Sequence, residues 1–188
     1  MKNIIKGLIL AVFIFFPLSF CFPAADLSKV RESGSGTYNA QFGKSYNYDD
    51  ILVTRAVDGD TLVLENGERV RLTGIDTPEI HESNKLYRDS RKSGQDLRTI
   101  KKMGQESFNF TKNLVEGKRV RLEFDVEKTD RYKRLLAYVY LKDGTFVNAE
   151  IVRQGYASLM TYPPNVKYAD LFAKLYKEAR ENNRGLWK

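Results

Sequence analysis

The chain has 188 residues, 42% hydrophobic and 29% charged, with a formal net charge of +7. This composition excludes disorder throughout, and the length suits one well-buried domain rather than two. The charge favours acidic partners such as nucleic acid or an anionic membrane without bearing on the fold. The single cysteine, Cys21, excludes an intrachain disulfide.

Lys2 and Lys6 precede an uncharged, mostly apolar run from Gly7 to Ala25 that ends in the small residues Ala24 and Ala25. This is the pattern of a signal peptide over residues 1–25, so the protein is expected to be exported, to the periplasm or beyond the cell. An uncleaved anchor is the alternative, because the run is nearly long enough to span a bilayer. Lipidation at Cys21 is a further alternative, although Phe20 is large for the position before a lipidated cysteine. The segment removes two lysines and no acid, so what remains stays basic. Residues 26–50 are rich in Ser, Gly, Asn and Tyr without apolar periodicity and read as a flexible linker.

The folded domain is expected over residues 51–188. Three short strands come first: ILVTRAV, TLVLE and ERVRLTGI, joined by turns at Asp58-Gly59 and Asn66-Gly67. His81 to Met103 is highly charged, lacks a clear apolar face and reads as a long loop. A helix follows from about Gln105 to Val115, with Phe108, Phe110, Leu114 and Val115 as core candidates. RVRLEFDV and LLAYVYL are the next strands, NAEIVRQGY a short helix, and Val166 to Asn182 a last helix. In that helix Tyr168, Phe172, Leu175, Tyr176 and Ala179 form one apolar stripe. Five strands and three helices imply an α+β fold, and the meander plus a later pair suits a five-stranded barrel of oligonucleotide-binding (OB) type.

Several polar residues could carry chemistry. Asp58-Gly59-Asp60-Thr61 is a tight turn on its own terms. RLTGIDTPE, Arg71 to Glu79, ends in a turn stiffened by Pro78. Asp60, Asp76, Thr77 and Glu79 offer hard oxygen ligands of the kind that Mg²⁺ or Ca²⁺ takes, with waters completing the shell. Arg71 and Arg134 each present a planar fork of donors matched to phosphate oxygens.

VDGDTL, RLTGIDTPE, TDRYKRLLAYVY, NAEIVRQGYA and a terminal GLW occur in this order. Together they resemble the staphylococcal nuclease (thermonuclease) family, over roughly Ile51 to Lys188. The resemblance implies an OB-type barrel with three helices and a Ca²⁺-dependent endonuclease acting on DNA and RNA. It assigns Asp60 and Asp76 as calcium-binding carboxylates and the Thr77 carbonyl as a further ligand. Arg71 and Arg134 become phosphate-binding catalytic arginines, and Glu79 the carboxylate that orients the attacking water. Asp58 lies close to the metal without being a ligand. Arg131 and Tyr132 match contacts to a terminal phosphate, and Tyr162 an aromatic lining the nucleotide pocket. The expected partner is single-stranded or locally melted nucleic acid, bound by a monomer with no obligate protein partner. The expected products carry 3′-phosphates after cleavage of the 5′ P–O bond.

Two departures stand out. Lys133 and Leu135 replace glycines that flank the arginine in close family members, and a positive φ at position 133 would strain a lysine. The loop after Glu79 is also longer than in the short staphylococcal form and carries Lys85, Arg88, Arg91, Lys92, Arg98, Lys101 and Lys102. It reads as a solvated charge run or an extension of the nucleic-acid track. The only histidine, His81, is a weaker candidate for a general base than Glu79. The rival functions are a non-catalytic OB-type nucleic-acid-binding module and a surface protein adhering to anionic polymers. Neither requires Asp60, Asp76 and Glu79 together.

Overall fold

The computed structural model describes residues 46–188. The signal segment, Cys21 and most of the 26–50 stretch lie outside the described residues. Among those described, no helix is long and apolar enough to cross a membrane.

Strands β1 (Ile51–Ala56), β2 (Thr61–Leu64) and β3 (Arg69–Leu72) form the expected antiparallel meander. Gly67 takes a left-handed φ of 85° in the Asn-Gly turn, a conformation that costs glycine little. A short strand β4 (Gly74–Asp76) follows. Strands β5 (Arg119–Thr129) and β6 (Leu135–Leu141) make a hairpin. β6 pairs with β3 in parallel and β5 with β1, which closes a five-stranded barrel in the order β1-β2-β3-β6-β5. Closure leaves the barrel no free edge. Alternating residues fill its interior: Val53, Leu62, Leu64, Val70, Leu72, Val120, Ala137 and Val139 are all nearly inaccessible. Each large aliphatic side chain so buried contributes about 1.5–3 kcal/mol.

The long loop expected over His81 to Met103 is instead two helices, α1 (Asn84–Ser93) and α2 (Leu97–Val115). Local capping defines them rather than apolar periodicity. Ser83 accepts from the Leu86 amide, Gly94 ends α1 at φ 70°, and Asp96 accepts from the Thr99 amide. Leu86 is the single buried residue of α1. The domain therefore has four α-helices where the sequence implied three.

The helices α3 (Val147–Arg153) and α4 (Ala169–Glu181) pack on the barrel beside a strand β7 (Ser158–Met160). Phe172, Leu175 and Ala179 are buried, with Tyr168 and Tyr176 packed partly against the same core. On α2 the buried face is Ile100, Gly104, Ser107, Thr111 and Val115. Phe108, Phe110 and Leu114 only flank the core. Tyr48, within the stretch read as linker, packs edge-on against Phe124 and donates its hydroxyl to Glu68.

One buried polar side chain ties α3 to the barrel. Asn148 Oδ1 accepts from the Val139 amide at 3.0 Å, and its Nδ2 donates to the carbonyls of Thr73 (2.9 Å) and Ala137 (3.3 Å). The NAEIVRQGYA motif thus secures the point where the chain leaves β3. The terminal Gly185–Trp187 turn closes against Gly155, with the Leu186 amide donating to the Gly155 carbonyl at 3.1 Å.

Candidate active site

The site begins where the third expected strand breaks. The chain turns out of the barrel at Gly74, with φ 85°, and a Cβ there would stand 2.5 Å from the Phe172 ring. β4 then pairs with β7 in a separate two-stranded sheet, Asp76 opposite Ser158. Arg71 stays in the barrel wall while Asp76 moves outside it. This brings the Arg71 guanidinium between two carboxylates, with Nη1 3.0 Å from Asp60 Oδ2 and Nη2 2.9 Å from Asp76 Oδ1.

Asp60 is buried, and the DTPE turn wraps it. Its Oδ2 accepts from the Thr77 amide at 2.9 Å and from Thr77 Oγ1 at 3.1 Å. Thr111 of α2 donates to the Gly59 carbonyl at 2.7 Å and holds the DGD turn from behind. Gly104 of α2 lets the DTPE backbone lie flat against the helix, since a Cβ there would meet the carbonyls of Glu79 (2.7 Å) and Pro78 (2.8 Å). The small buried face of α2 is therefore a seat for the site's two turns.

Charge is concentrated here. Burial opposes ionisation of Asp60, but the Arg71 guanidinium and the Thr77 amide outweigh it and hold the carboxyl below its usual range. Asp58 is pushed up to about 7 by burial and then by the charge of Asp60, whose amide donates to Asp58 Oδ1. Burial also raises Asp76, against the pull of Lys85 and Arg71.

Lys85, read from sequence as part of a charge run, is the unexpected member. From the first turn of α1 its Nζ lies 2.8 Å from the Thr77 carbonyl, 3.0 Å from Asp76 Oδ1 and 3.0 Å from Glu79 Oε1. Burial disfavours its charge, but Asp76, Asp60 and Glu79 more than compensate and raise its pKa. No local signal in the sequence marks it, because the 81–103 stretch lacks the apolar periodicity from which α1 could be read.

Next to this cluster lies a cleft of about 510 Å³, whose wall includes Arg71, Arg131, Tyr132, Arg134, Met160 and Tyr162. Arg134 sits on the β5–β6 turn with Nε and Nη2 each 2.7 Å from Asp130 Oδ2. Lys133 does take a positive φ, 62°, and Arg134 lines the cleft nonetheless. Asp130 organises the turn by accepting from the amides of Tyr132 (2.8 Å) and Arg134 (3.0 Å). Tyr162 is 73% exposed at the rim, ahead of Pro163-Pro164, and the loop is fastened when Asn165 exchanges two hydrogen bonds with the Glu127 backbone.

The sequence candidates thus fall into two adjoining groups. Asp60, Arg71, Asp76, Thr77 and Glu79 form a charged cluster at one end, and Arg131, Tyr132, Arg134 and Tyr162 line the cleft with Arg71. His81 is exposed and makes none of the hydrogen bonds within the cluster. Among the described residues, no three His, Cys, Asp or Glu side chains converge as metal ligands. The oxygens of Asp76, Thr77 and Glu79 nevertheless surround one cationic group, Lys85 Nζ. Such an all-oxygen donor set fits a hard divalent ion that keeps several waters.

The family described as Staphylococcal nuclease homologue matches residues 69–188. The chain belongs to the staphylococcal nuclease family. It is 38% identical over 148 residues to a thermonuclease of Staphylococcus intermedius, covering 77% of each chain. It is 30% identical to a thermonuclease of Staphylococcus hyicus across 100% of this chain and 99% of the relative. Endonuclease YncB of Bacillus subtilis is 34% identical over 73% of this chain and 61% of its own length. In this member of the family the match spans Arg71, the DTPE turn, α1, α2 and the Arg134 turn, while Asp60 lies just ahead of the matched residues.

Proposed function

We propose that this nuclease hydrolyses phosphodiester bonds of DNA and RNA with Ca²⁺ as its cofactor. The observation that carries the reading is the meeting of Arg71, Asp60, Asp76, the Thr77 carbonyl and Glu79 at one end of a cleft lined by further arginines and tyrosines. Asp60, Asp76 and the Thr77 carbonyl would hold the ion. When bound, it supplies Lewis-acid polarisation of a phosphate oxygen.

The protein's own groups do the rest. Glu79 orients the attacking water. Its carboxylate is fixed at the end of the DTPE turn, with Oε1 3.0 Å from Lys85 Nζ, and positioning is its main contribution. Arg71, held rigid by two carboxylates, donates to the phosphate oxygens as negative charge builds on the phosphorane. Arg134 exchanges Asp130 for the same phosphate from the other wall of the cleft. Arg131 and Tyr132 take an adjacent phosphate, and Tyr162 offers an exposed ring for a base to stack on. Recognition through backbone charge and stacking suits single-stranded or locally melted nucleic acid and is sequence-tolerant. The 5′ P–O bond breaks and the product keeps a 3′-phosphate. The protein acts as an exported monomer.

The test is incubation of the purified protein with single-stranded DNA and with RNA, in Ca²⁺ or in chelator, with the products resolved on a gel. Ca²⁺-dependent cleavage, with ends that a 3′-phosphatase alters, is the expected result. Retarded but uncleaved nucleic acid in Ca²⁺ would overturn the enzyme reading in favour of a binding module.

A further inference from the structure

We propose that Lys85 is a resident counter-cation of the active site, whose ammonium must leave Asp76, Thr77 and Glu79 before a divalent ion binds there. Metal loading is thereby coupled to release of the α1 helix. The inference rests on the reading above that Asp76 and Thr77 hold the ion.

An ammonium has three N–H donors. Those of Lys85 have three acceptors within 2.8–3.0 Å: the Thr77 carbonyl, Asp76 Oδ1 and Glu79 Oε1. Two of these are assigned to the ion and the third to its water, so both cations compete for the same oxygens. An ion about 2.3–2.6 Å from the Asp76 and Thr77 oxygens would stand against the ammonium that now bridges them, and two positive charges so close repel. The arrangement is not a by-product of helix formation. The first turn of α1 contains no acidic residue, and a lysine there opposes the helix dipole. The carboxylates hold Lys85, and Lys85 holds α1. Apart from it, α1 is tied to the domain by the buried Leu86, and the preceding Glu82 by an exposed pair with Lys101. With Lys85 freed, the helix keeps one buried side chain and opens at lower free energy. The freed ammonium, on an arm rooted beside the DTPE turn, is then available to a substrate phosphate.

Two measurements on the purified protein test this. The first is calorimetric titration with Ca²⁺ of the wild type, Lys85→Met and Lys92→Met. If the ammonium occupies the site about 90% of the time or more, Lys85→Met binds Ca²⁺ at least about tenfold more tightly. Lys92→Met removes an exposed α1 charge and changes affinity less than about twofold. The second is amide hydrogen exchange of α1 with and without Ca²⁺. Metal ordinarily protects a site, but here exchange in residues 84–93 speeds up in the wild type on adding Ca²⁺. In Lys85→Met it is already fast and does not respond. Equal Ca²⁺ affinities, or α1 exchange that slows on metal binding, would overturn the role of Lys85 while leaving the metal site standing. No Ca²⁺ binding by either the wild type or Lys85→Met would overturn both readings.

Discussion

Asp58 and Asp60 are two carboxyls of one turn in opposite circumstances. Asp60 is neutralised by Arg71, and Asp58 bears the cost of standing next to it. The raised pKa of Asp58, from 3.8 to about 7, means that its protonated form is favoured by folding. Its contribution is full below about pH 3.8 and is lost as pH rises toward 7. In chelator, Asp58→Asn is therefore expected to melt higher than the wild type at pH 8, with the gap closing toward pH 4. Thermal melts across that range check it. Asparagine keeps the side-chain oxygen that accepts from the Asp60 amide, so the turn survives the substitution. Lys133 is the second residue with a stated cost. Its φ of 62° is left-handed, which a β-carbon makes unfavourable by roughly 1 kcal/mol. Lys133→Gly should stabilise the protein by about that amount in urea denaturation. Glycine at the flanking position also leaves the Asp130–Arg134 pair intact.

The elements around the site are chosen for closeness rather than bulk. α2 presents Gly104, Ser107 and Thr111 to the active-site side, where a typical core helix presents leucines. Ser107 donates to the Tyr156 carbonyl at 2.7 Å and Thr111 to that of Gly59. Alanine for glycine in a helix interior normally stabilises by about 1 kcal/mol. Gly104→Ala is expected to do the opposite for catalysis, because its Cβ would push on the Glu79 carbonyl at 2.7 Å. The expected signature is a fall in kcat of roughly tenfold or more with KM little changed, since a misplaced catalytic carboxylate costs orientation rather than binding. Steady-state kinetics on single-stranded DNA reads it out. A parallel melt shows the fold intact.

At the scale of the whole molecule, a closed barrel supplies the rigid wall and three connections leaving it supply the chemistry. Asn148 controls the largest of these departures: its amide donates to the Thr73 carbonyl just before the Gly74 turn, and gives a second donor to the Ala137 carbonyl, which already accepts from the Thr73 amide at 3.0 Å. Asn148→Leu removes the donor and leaves a buried amide at Val139 unpaired as well. A loss of about 3 kcal/mol or more is expected, measured as a lower urea midpoint at constant slope. Because the same carbonyls flank the Gly74 turn, activity should fall along with stability.

The strands, the α4 stripe and the DGD and DTPE motifs are all legible along the chain, because each depends on neighbours within one turn or one strand pair. Val70 and Leu72 announce their inward faces by the alternation of RVRL, and Phe172, Leu175 and Ala179 by helical spacing. Resemblance across five motifs brings Asp60, Arg71, Asp76, Thr77 and Glu79 forward as candidates, and these five stand together at one end of the cleft. The α1 helix was not legible, since its one buried residue, Leu86, makes no pattern and its stability comes from a cap and from contacts outside itself. Nor was the break at Gly74, which depends on the Phe172 ring arriving from a helix nearly a hundred residues later. Local sequence thus determined the elements and the chemical types available to the site. Tertiary structure alone decided that Lys85 reaches back to Asp76, Thr77 and Glu79, because charge in a sequence carries no direction until the fold aims it.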